Sequence, residues 1–487
     1  MISKLKNLLF GEHSIRQIIF KNSFWYAVSN IGSNLIRLFV VVYAARLLGA
    51  EQYGLFSYAL SVAAMFTILS DFGLNYLLFV NIARRDENHE LYFPTLIFLR
   101  GSLILAIILI TIIIGPLITR FPEAKILIPL VALFVAFDDI RGFLISFVRA
   151  ENRIDKEAFG AIITNIFIVA FSIIGLKHSP TSYTLTLTYL AGSVLGTLMI
   201  FFLVRKEVIR IFRPFIFSFK LAKEILSVAV PFGLANVMWL LMTSTDTLVV
   251  GWFRPVVELG YYAAAQRPIS ALSLIPTIIA ASSLALIARA AKEGEKERLK
   301  NILERLVPFS LAIILPMAVG GIIIASSIIS FLYGVAYLPA TLPFQLLLVT
   351  LVISYPAGIV TNLILAFKQQ KTFTFAMIAG AVGNFILDLL LIPKFGIAGS
   401  VVATIFALAI INGYIWYGAK RLQPFEIMPF LPRIFTATIL MGLVTFSLQL
   451  ASINFFINIV VSAVVYLGIL IIIKEPLLKD LKGVFRF

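Results

Sequence analysis

The sequence contains no cysteine and only three histidines in 487 residues. The lack of thiols excludes disulfides, cysteine nucleophiles and cysteine-ligated metals. His13, His89 and His178 lie in polar connecting stretches, where we expect them to be solvated. The sequence also lacks a glycine-rich phosphate loop, a metal-ligand spacing and a nucleophile elbow. We therefore expect no ATP hydrolysis, no metal site, no cofactor and no catalytic residues.

Charged residues are scarce, at 13% of the chain, whereas hydrophobic residues make up 60%. A water-soluble protein of this size does not keep such a ratio, so the bilayer is expected to be the main solvent. One crossing needs about 20 apolar residues, and the composition allows about fourteen crossings. The net charge is +16. Because the basic residues interrupt apolar runs and do not gather on one polar face, nucleic acid is not an expected partner.

Apolar runs separated by short polar or Pro/Gly-marked breaks predict an all-α integral membrane protein with about 14 transmembrane helices. The predicted spans fall at roughly 22–45, 54–82, 94–119, 126–148, 158–176, 184–204, 227–252, 262–288, 307–330, 344–367, 373–392, 397–418, 430–450 and 454–473. The protein is therefore predicted to be a multi-pass protein of the cell membrane.

The spans group into two predicted lobes. Residues 1–204 form a six-helix N-terminal lobe, and residues 227–418 form a six-helix C-terminal lobe. Between them, 205–226 mixes basic residues with aromatic and aliphatic residues, which predicts an amphipathic linker helix at the anionic inner interface, with a solvated loop as the alternative. Residues 419–487 supply two further helices and a cytoplasmic tail.

The distribution of basic residues predicts the orientation of the chain. Connectors on the cytoplasmic side carry the surplus of Lys and Arg in membrane proteins. With the N-terminus inside, only six basic residues fall in outward connectors, while the inward connectors hold most of the rest. The six are Arg46, Arg120, Lys125, Lys177, Arg254 and Lys394. Both termini are therefore predicted to be cytoplasmic.

Ten charged residues lie within predicted spans or at their ends. A charge at bilayer depth costs several kcal/mol, so each should face a partner, water or a substrate. The arginines, assigned to a cationic substrate-binding lumen, are Arg37, Arg46, Arg100, Arg141 and Arg267. The aspartates, assigned to ion coupling or to ion pairs, are Asp71, Asp138, Asp139, Asp246 and Asp388. These ten residues form the predicted functional set.

The arginines of the first lobe suit a phosphate or pyrophosphate head group, because a guanidinium never deprotonates and presents a planar fork of donors. Arg37 lies roughly 22 Å along its helix, too deep to snorkel to the interface. Arg100 lies nearer the inner end, where snorkelling is the alternative. Asp138 and Arg141 are three residues apart on one helical face, so they either neutralise each other or act separately in the lumen. Asp139 points elsewhere and has no assigned partner at this stage.

The other three aspartates have two alternative roles. Asp71, Asp246 and Asp388 either bind a coupling proton or sodium ion or pair with the arginines. Arg46, at the outer end of the first span, is either a gate or a charge that complements the negative C-terminus of its helix.

Four stretches carry a family resemblance: ARLLGAEQYGLFSYALSV at 45–62, SDFGL at 70–74, STDTLVVGWF with LGYYAAAQ at 244–266, and LDLLLIPKFGIAGSVVAT at 387–404. With them the chain resembles the Wzx-like polysaccharide-biosynthesis flippases of the multidrug, oligosaccharidyl-lipid and polysaccharide exporter superfamily. The resemblance implies a flippase that moves a polyprenyl-linked oligosaccharide from the cytoplasmic to the outer leaflet by alternating access. It further implies that a hydrated cationic lumen holds the sugar phosphate, and Arg37, Arg100 and Arg141 match such a lumen by location.

Three alternatives remain at this stage. An ion-coupled multidrug or metabolite antiporter of the same superfamily would favour carboxylates over arginines in its site. A multi-span glycan polymerase or ligase would carry a large outward loop with catalytic groups, and no outward connector here exceeds about a dozen residues. A passive scaffold would leave the intramembrane arginines without a role. The expected partners are the lipid-linked oligosaccharide, the bilayer and glycan-assembly enzymes, with the protein itself a monomer and not an enzyme.

Overall fold

The computed structural model describes residues 15–71, 73–74, 89–150, 154–211 and 217–473. These residues form fourteen α-helices and one short 3₁₀ helix, Val335–Ala340. The first seven are α1 (Ile15–Asp71), α2 (His89–Ile118), α3 (Pro122–Ala150), α4 (Ile154–His178), α5 (Ser182–Ile211), α6 (Phe219–Phe253) and α7 (Val256–Leu272). The others are α8 (Leu274–Glu293), α9 (Lys296–Ile323), α10 (Ala325–Tyr333), α11 (Thr341–Ala366), α12 (Gln370–Leu422), α13 (Leu431–Leu450) and α14 (Phe455–Ile472).

Ten helical segments within the described residues are long and apolar enough to cross a membrane. The three longest have 38 residues or more: 40 residues at Gly32–Asp71, 38 at Val256–Glu293 and 53 at Gln370–Leu422. At 1.5 Å per residue the longest would extend about 80 Å, against a hydrocarbon core of about 30 Å. The chain is therefore an all-α, multi-pass membrane protein, and this part of the sequence prediction is confirmed.

Helix α3 is present where a span was predicted at 126–148 but is not among the ten apolar segments. Its middle carries Asp138, Asp139 and Arg141 within four positions. These three charges lower the hydropathy of every long window through the helix.

The two longest helices, α1 and α12, each continue through a kink at a glycine. The spans predicted at 22–45 and 54–82 were expected to be separated by a connector, but within the described residues they are one helix with a kink at Gly49 (φ 73°, ψ 170°). The spans predicted at 373–392 and 397–418 likewise meet in α12 at Gly396 (φ 60°, ψ −142°). Only glycine adopts such angles without strain, so a single residue turns the chain where the sequence predicted a loop.

We expect Gly49→Ala to lower the free energy of unfolding by about 1–3 kcal/mol, because the backbone conformation is one that a Cβ disfavours. No atom lies within 4 Å of a Cβ added at Gly49, so the cost is conformational and not steric. The matched control is Gly32→Ala in the same helix, where a Cβ also meets open space but φ is helical. The control should be neutral or stabilising by up to about 1 kcal/mol. Unfolding in detergent measures both, and equal effects would contradict the explanation.

The chain divides into two compact units, Met1–Gly260 and Tyr261–Phe487, and the boundary falls inside α7. In the first unit, α1 packs against α2, α3, α4 and α6. In the second, α11 packs against α8, α9 and α12, while α13 packs against α9 and α14. The predicted linker at 205–226 spans the end of α5 and the start of α6, and its residues 212–216 lie outside the described residues. The predicted lobe boundaries stay a prediction.

Connectors predicted to face outward meet at one end of the first unit. The Arg120 guanidinium donates to the carbonyl oxygen of Arg254, which joins the α2–α3 and α6–α7 connections. Gln52 Oε1, just after the Gly49 kink, accepts from the Ser182 hydroxyl at 2.8 Å and from its backbone N–H at 3.0 Å. This grouping agrees with the prediction that successive connectors of this unit lie in turn on the inner and the outer side.

The two C-terminal helices match the prediction closely and are joined by buried polar groups. Thr445 donates to the hydroxyl of Ser462 at 2.8 Å, and Asn458 Nδ2 donates to the carbonyl oxygen of Thr445 at 3.0 Å. The Tyr466 hydroxyl reaches the carbonyl oxygen of Ala312 on α9 at 2.7 Å. Hydrogen bonds between helices are, together with close packing, a usual source of association in a bilayer, where the hydrophobic effect supplies no driving force between helices.

Candidate functional site

A buried ion cluster lies among α1, α2 and α3. The Arg100 side chain is 1% exposed, and its guanidinium forms two ion pairs. Nη2 pairs with the Asp139 carboxylate, and Nη1 lies 3.4 Å from Oδ1 of Asp71. Ser70 donates a short hydrogen bond to the second oxygen of Asp139. One guanidinium is therefore shared by two carboxylates, so Arg100 is neutralised by protein groups and does not snorkel to the interface.

A second pair lies on α3 alone. Arg141 pairs with Asp138 one helical turn before it, which is the neutralising alternative that the spacing suggested. The Arg141 side chain is 7% exposed, and its Nε and Nη1 atoms make no hydrogen bond within the described part of the chain. One carboxylate therefore leaves part of this guanidinium unsatisfied.

Arg37 differs from Arg100 and Arg141 in its exposure and in its partners. It is exposed, and its Nε donates to Asn165 Oδ1 on α4 at 3.0 Å. Among the described residues it makes no ion pair, and its charge acts electrostatically on Arg141. It lies twelve residues before Gly49, about 18 Å along the helix and near mid-bilayer. Arg37 is thus an accessible, oriented cation without a protein counter-charge in the described residues.

Asn165 explains why Arg37 has a fixed direction. Its side chain is buried, its Nδ2 donates to the carbonyl oxygen of Ala161 at 2.7 Å, and its Oδ1 therefore faces Arg37. Holding one nitrogen of the guanidinium in this way leaves the two terminal nitrogens available to a bidentate acceptor.

An apolar groove of about 450 Å³ opens on the surface of the first unit between α2, α3 and α5. Ile104, Phe143 and Leu144 form its buried wall, while Gly101, Leu198 and Phe201 are exposed at its mouth. The exposed residues of α2 beyond it, such as Leu105 and Leu109, are apolar, as expected of a lipid-facing surface. The groove therefore has the character of a site for a hydrocarbon chain.

The remaining members of the predicted set lie elsewhere. Arg46 is exposed three residues before Gly49, and Asp246 is buried on α6. In the second unit Arg267 is partly buried on α7, and Asp388 is fully buried on α12, where it accepts from Asn384 Nδ2 at 2.8 Å. The structure thus brings Arg100, Asp71 and Asp139 into one cluster and Arg141 and Asp138 into another. The substrate-binding and ion-coupling roles of all ten residues stay predictions.

Sequence reasoning missed Ser70 and Asn165, which hold Asp139 and Arg37 in place. Polar residues of this size are common in membrane helices, so neither stands out by composition. A usable signal was the position of Ser70 directly before Asp71 in the quoted SDFGL stretch. Asn165 lies within an apolar stretch of α4 with only Thr164 as a polar neighbour, which hinted at an interhelical contact.

Comparisons with known proteins agree on family and fold. A family model described as polysaccharide biosynthesis protein matches residues 19–289, which is more than half of the chain. A probable low-salt glycan biosynthesis flippase of Haloferax volcanii is 22% identical over 383 residues, covering 79% of each chain.

Two solved structures share the fold. The lipid II flippase MurJ in an inward closed conformation superposes with a TM-score of 0.76 at 21% identity, covering 93% of this chain and 99% of that one. An inward-facing multidrug resistance MATE family transporter of the MOP superfamily superposes with a TM-score of 0.61 at 15% identity, covering 86% and 98%. On the family match, together with the multi-pass helical fold, the chain belongs to the polysaccharide biosynthesis protein family.

Proposed function

We propose that the protein is a flippase that moves an oligosaccharide linked to a polyprenyl phosphate or pyrophosphate from the cytoplasmic to the outer leaflet by alternating access. The observation that carries the proposal is Arg37, an exposed intramembrane arginine held by Asn165 and without an ion pair in the described residues. A phosphate or pyrophosphate supplies the missing counter-charge and accepts two N–H groups of the guanidinium at once.

The buried arginines play a different part in this proposal. Arg100 is neutralised by its ion pairs with Asp71 and Asp139, although its Nε and Nη1 make no hydrogen bond in the described residues, and it holds α1, α2 and α3 together. Arg141 has spare donors but little exposure, and its charge adds to the positive potential around Arg37. Arg37 is therefore the member of the predicted lumen set that meets the head group, and Arg141 supports it electrostatically.

The groove between α2, α3 and α5 supports the lipid part of the proposed substrate. A carrier lipid needs an apolar path within the bilayer while its head group is held by polar residues. The accessible surface of the groove is apolar, with the buried Arg100 and Thr197 behind it, and the groove opens through Gly101, Leu198 and Phe201, so it suits an isoprenoid chain. The relative from Haloferax volcanii, whose name describes a glycan biosynthesis flippase, supports the same class of substrate.

The test is leaflet exchange in liposomes. The native chain is reconstituted with a lipid-linked oligosaccharide in both leaflets, and the fraction open to an added glycosidase is followed over time. We expect this fraction to rise towards completion with protein and to stay at its initial value in protein-free liposomes. No exchange, combined with efflux of organic cations under an imposed ion gradient, would instead assign the antiporter function.

A further inference from the structure

A polar cavity of about 260 Å³ lies in the second unit, where the C-terminal end of α11 meets both ends of α12. Its polar lining consists of Gln369, Thr372, Tyr414, Tyr417 and Arg421. Gln369 belongs to the three-residue turn between the helices, and Thr372 lies in the first turn of α12. The cavity is therefore formed at the ends of these two helices, within the second unit.

The charged residue in the lining of the cavity is an arginine. Arg421 lies in the last turn of α12, stacked 4.3 Å over the Tyr417 ring, and it forms no ion pair within the described residues. Lys368, Lys371 and Lys420 are exposed and adjacent in sequence to lining residues, but they do not line the cavity. No acidic residue lines the cavity or occurs between 389 and 425. A lining arginine with three further cations next to lining residues in sequence, and no carboxylate nearby along the chain, favours an anionic ligand.

The aromatic residues at the cavity place this ligand in a membrane. Tyr414 and Tyr417 are 41% and 57% exposed, and Phe375 is 59% exposed and packs on Tyr414 with ring centroids 5.4 Å apart. Exposed aromatic rings with polar edges are typical of the headgroup level of a bilayer. The same end of the unit is predicted to be cytoplasmic from its basic residues, and the cytoplasmic leaflet is the anionic one.

Gly418 keeps the cavity open. A Cβ added at this position would come within 3.3 Å of Thr372 Cγ2 and 3.4 Å of Ile364 Cδ1. A larger side chain would therefore fill the space between Thr372 and Arg421 while leaving every positive charge in place.

We propose that this cavity binds the phosphate of an anionic phospholipid of the cytoplasmic leaflet. The Arg421 guanidinium, held flat by Tyr417, takes two phosphate oxygens. The Thr372 hydroxyl donates to Gln369 Oε1 at 3.4 Å, which leaves the Gln369 Nε2 to donate to the headgroup, and the exposed rings of Tyr414 and Phe375 pack against the acyl chains. The site is separate from the proposed flippase site and does not depend on that function.

The test is retention of lipid by protein in nanodiscs that contain phosphatidylglycerol and phosphatidylcholine, measured by native mass spectrometry after extraction. We expect the native chain to retain phosphatidylglycerol over phosphatidylcholine, Arg421→Gln to lose about tenfold in that preference, and Gly418→Val to lose it with all charges intact. Arg289→Gln is the control, since Arg289 is exposed, paired with Glu293 and outside the cavity. Only variants that keep the native unfolding temperature in a neutral detergent are compared, and Arg421→Lys replaces Arg421→Gln if the latter fails.

Three results would overturn the proposal. One is equal retention of the two lipids by the native chain, and another is an effect of Arg289→Gln as large as that of Arg421→Gln. The third concerns the source of the phosphate. If inorganic phosphate raises the unfolding temperature as much as a soluble short-chain phosphatidylglycerol, or if a polyprenyl phosphate displaces phosphatidylglycerol more than tenfold better, the cavity serves free phosphate or the substrate instead.

Discussion

Arg100→Ala is expected to destabilise the protein by about 3 kcal/mol or more, because removing one partner of a buried ion pair leaves an uncompensated charge behind. Here the loss removes the counter-charge that two carboxylates share, Asp71 and Asp139, whose side chains are 25% and 19% exposed. Their partial exposure holds the cost near the lower end of the range of about 3–5 kcal/mol for such changes. Unfolding in detergent, followed by circular dichroism, measures the effect.

The control for Arg100 is the exposed pair on α8. Arg289 and Glu293 are 70% and 38% exposed, so Arg289→Ala is expected to cost less than about 1 kcal/mol. Adding Asp139→Asn to Arg100→Ala should recover part of the loss, because it removes one of the stranded charges. If Arg100→Ala cost no more than Arg289→Ala, the cluster would not hold α1, α2 and α3 together.

The helical content and most span positions were predictable because a bilayer imposes a length and a composition on each crossing. The C-terminal pair illustrates this, since the predictions at 430–450 and 454–473 agree with Leu431–Leu450 and Phe455–Ile472. The kinks at Gly49 and Gly396 were not predictable as joints without a connector, because the sequence does not show which of its 29 glycines takes a positive φ.

The sequence also identified which intramembrane residues carry charge, but not which of them neutralise each other. The i,i+3 spacing of Asp138 and Arg141 is local, so that pair could be anticipated. The cluster of Asp71, Arg100 and Asp139 joins three helices, and its members are far apart in the chain. Such a contact depends on helix rotation and packing, which hydropathy does not fix. The sequence separated Arg37 from Arg100 only by their depth within the spans, and burial and pairing show that Arg100 is the neutralised one.

Arg37→Ala is expected to slow leaflet exchange of the lipid-linked oligosaccharide by at least about tenfold. A hydrogen bond to a charged group contributes about 1.5–3 kcal/mol, and about 1.4 kcal/mol corresponds to a factor of ten. Since Arg37 is exposed and makes no ion pair within the described residues, its removal strands no carboxylate there, and stability should change little. A large loss of exchange with little loss of stability is the reverse of the pattern expected for Arg100→Ala.

Graded variants separate charge from geometry at Arg37. Arg37→Lys keeps the charge but loses the planar fork, so exchange should fall less than in Arg37→Ala. Asn165→Ala keeps the guanidinium but removes the contact that orients it, and an intermediate loss is expected. Lys125→Ala is the control, because it deletes one exposed positive charge in the first turn of α3, which is not among the candidate spans. If Arg37→Ala exchanged as fast as Lys125→Ala, the head group would have to be held elsewhere, and Arg141, with its unsatisfied nitrogens, would be the next residue to vary.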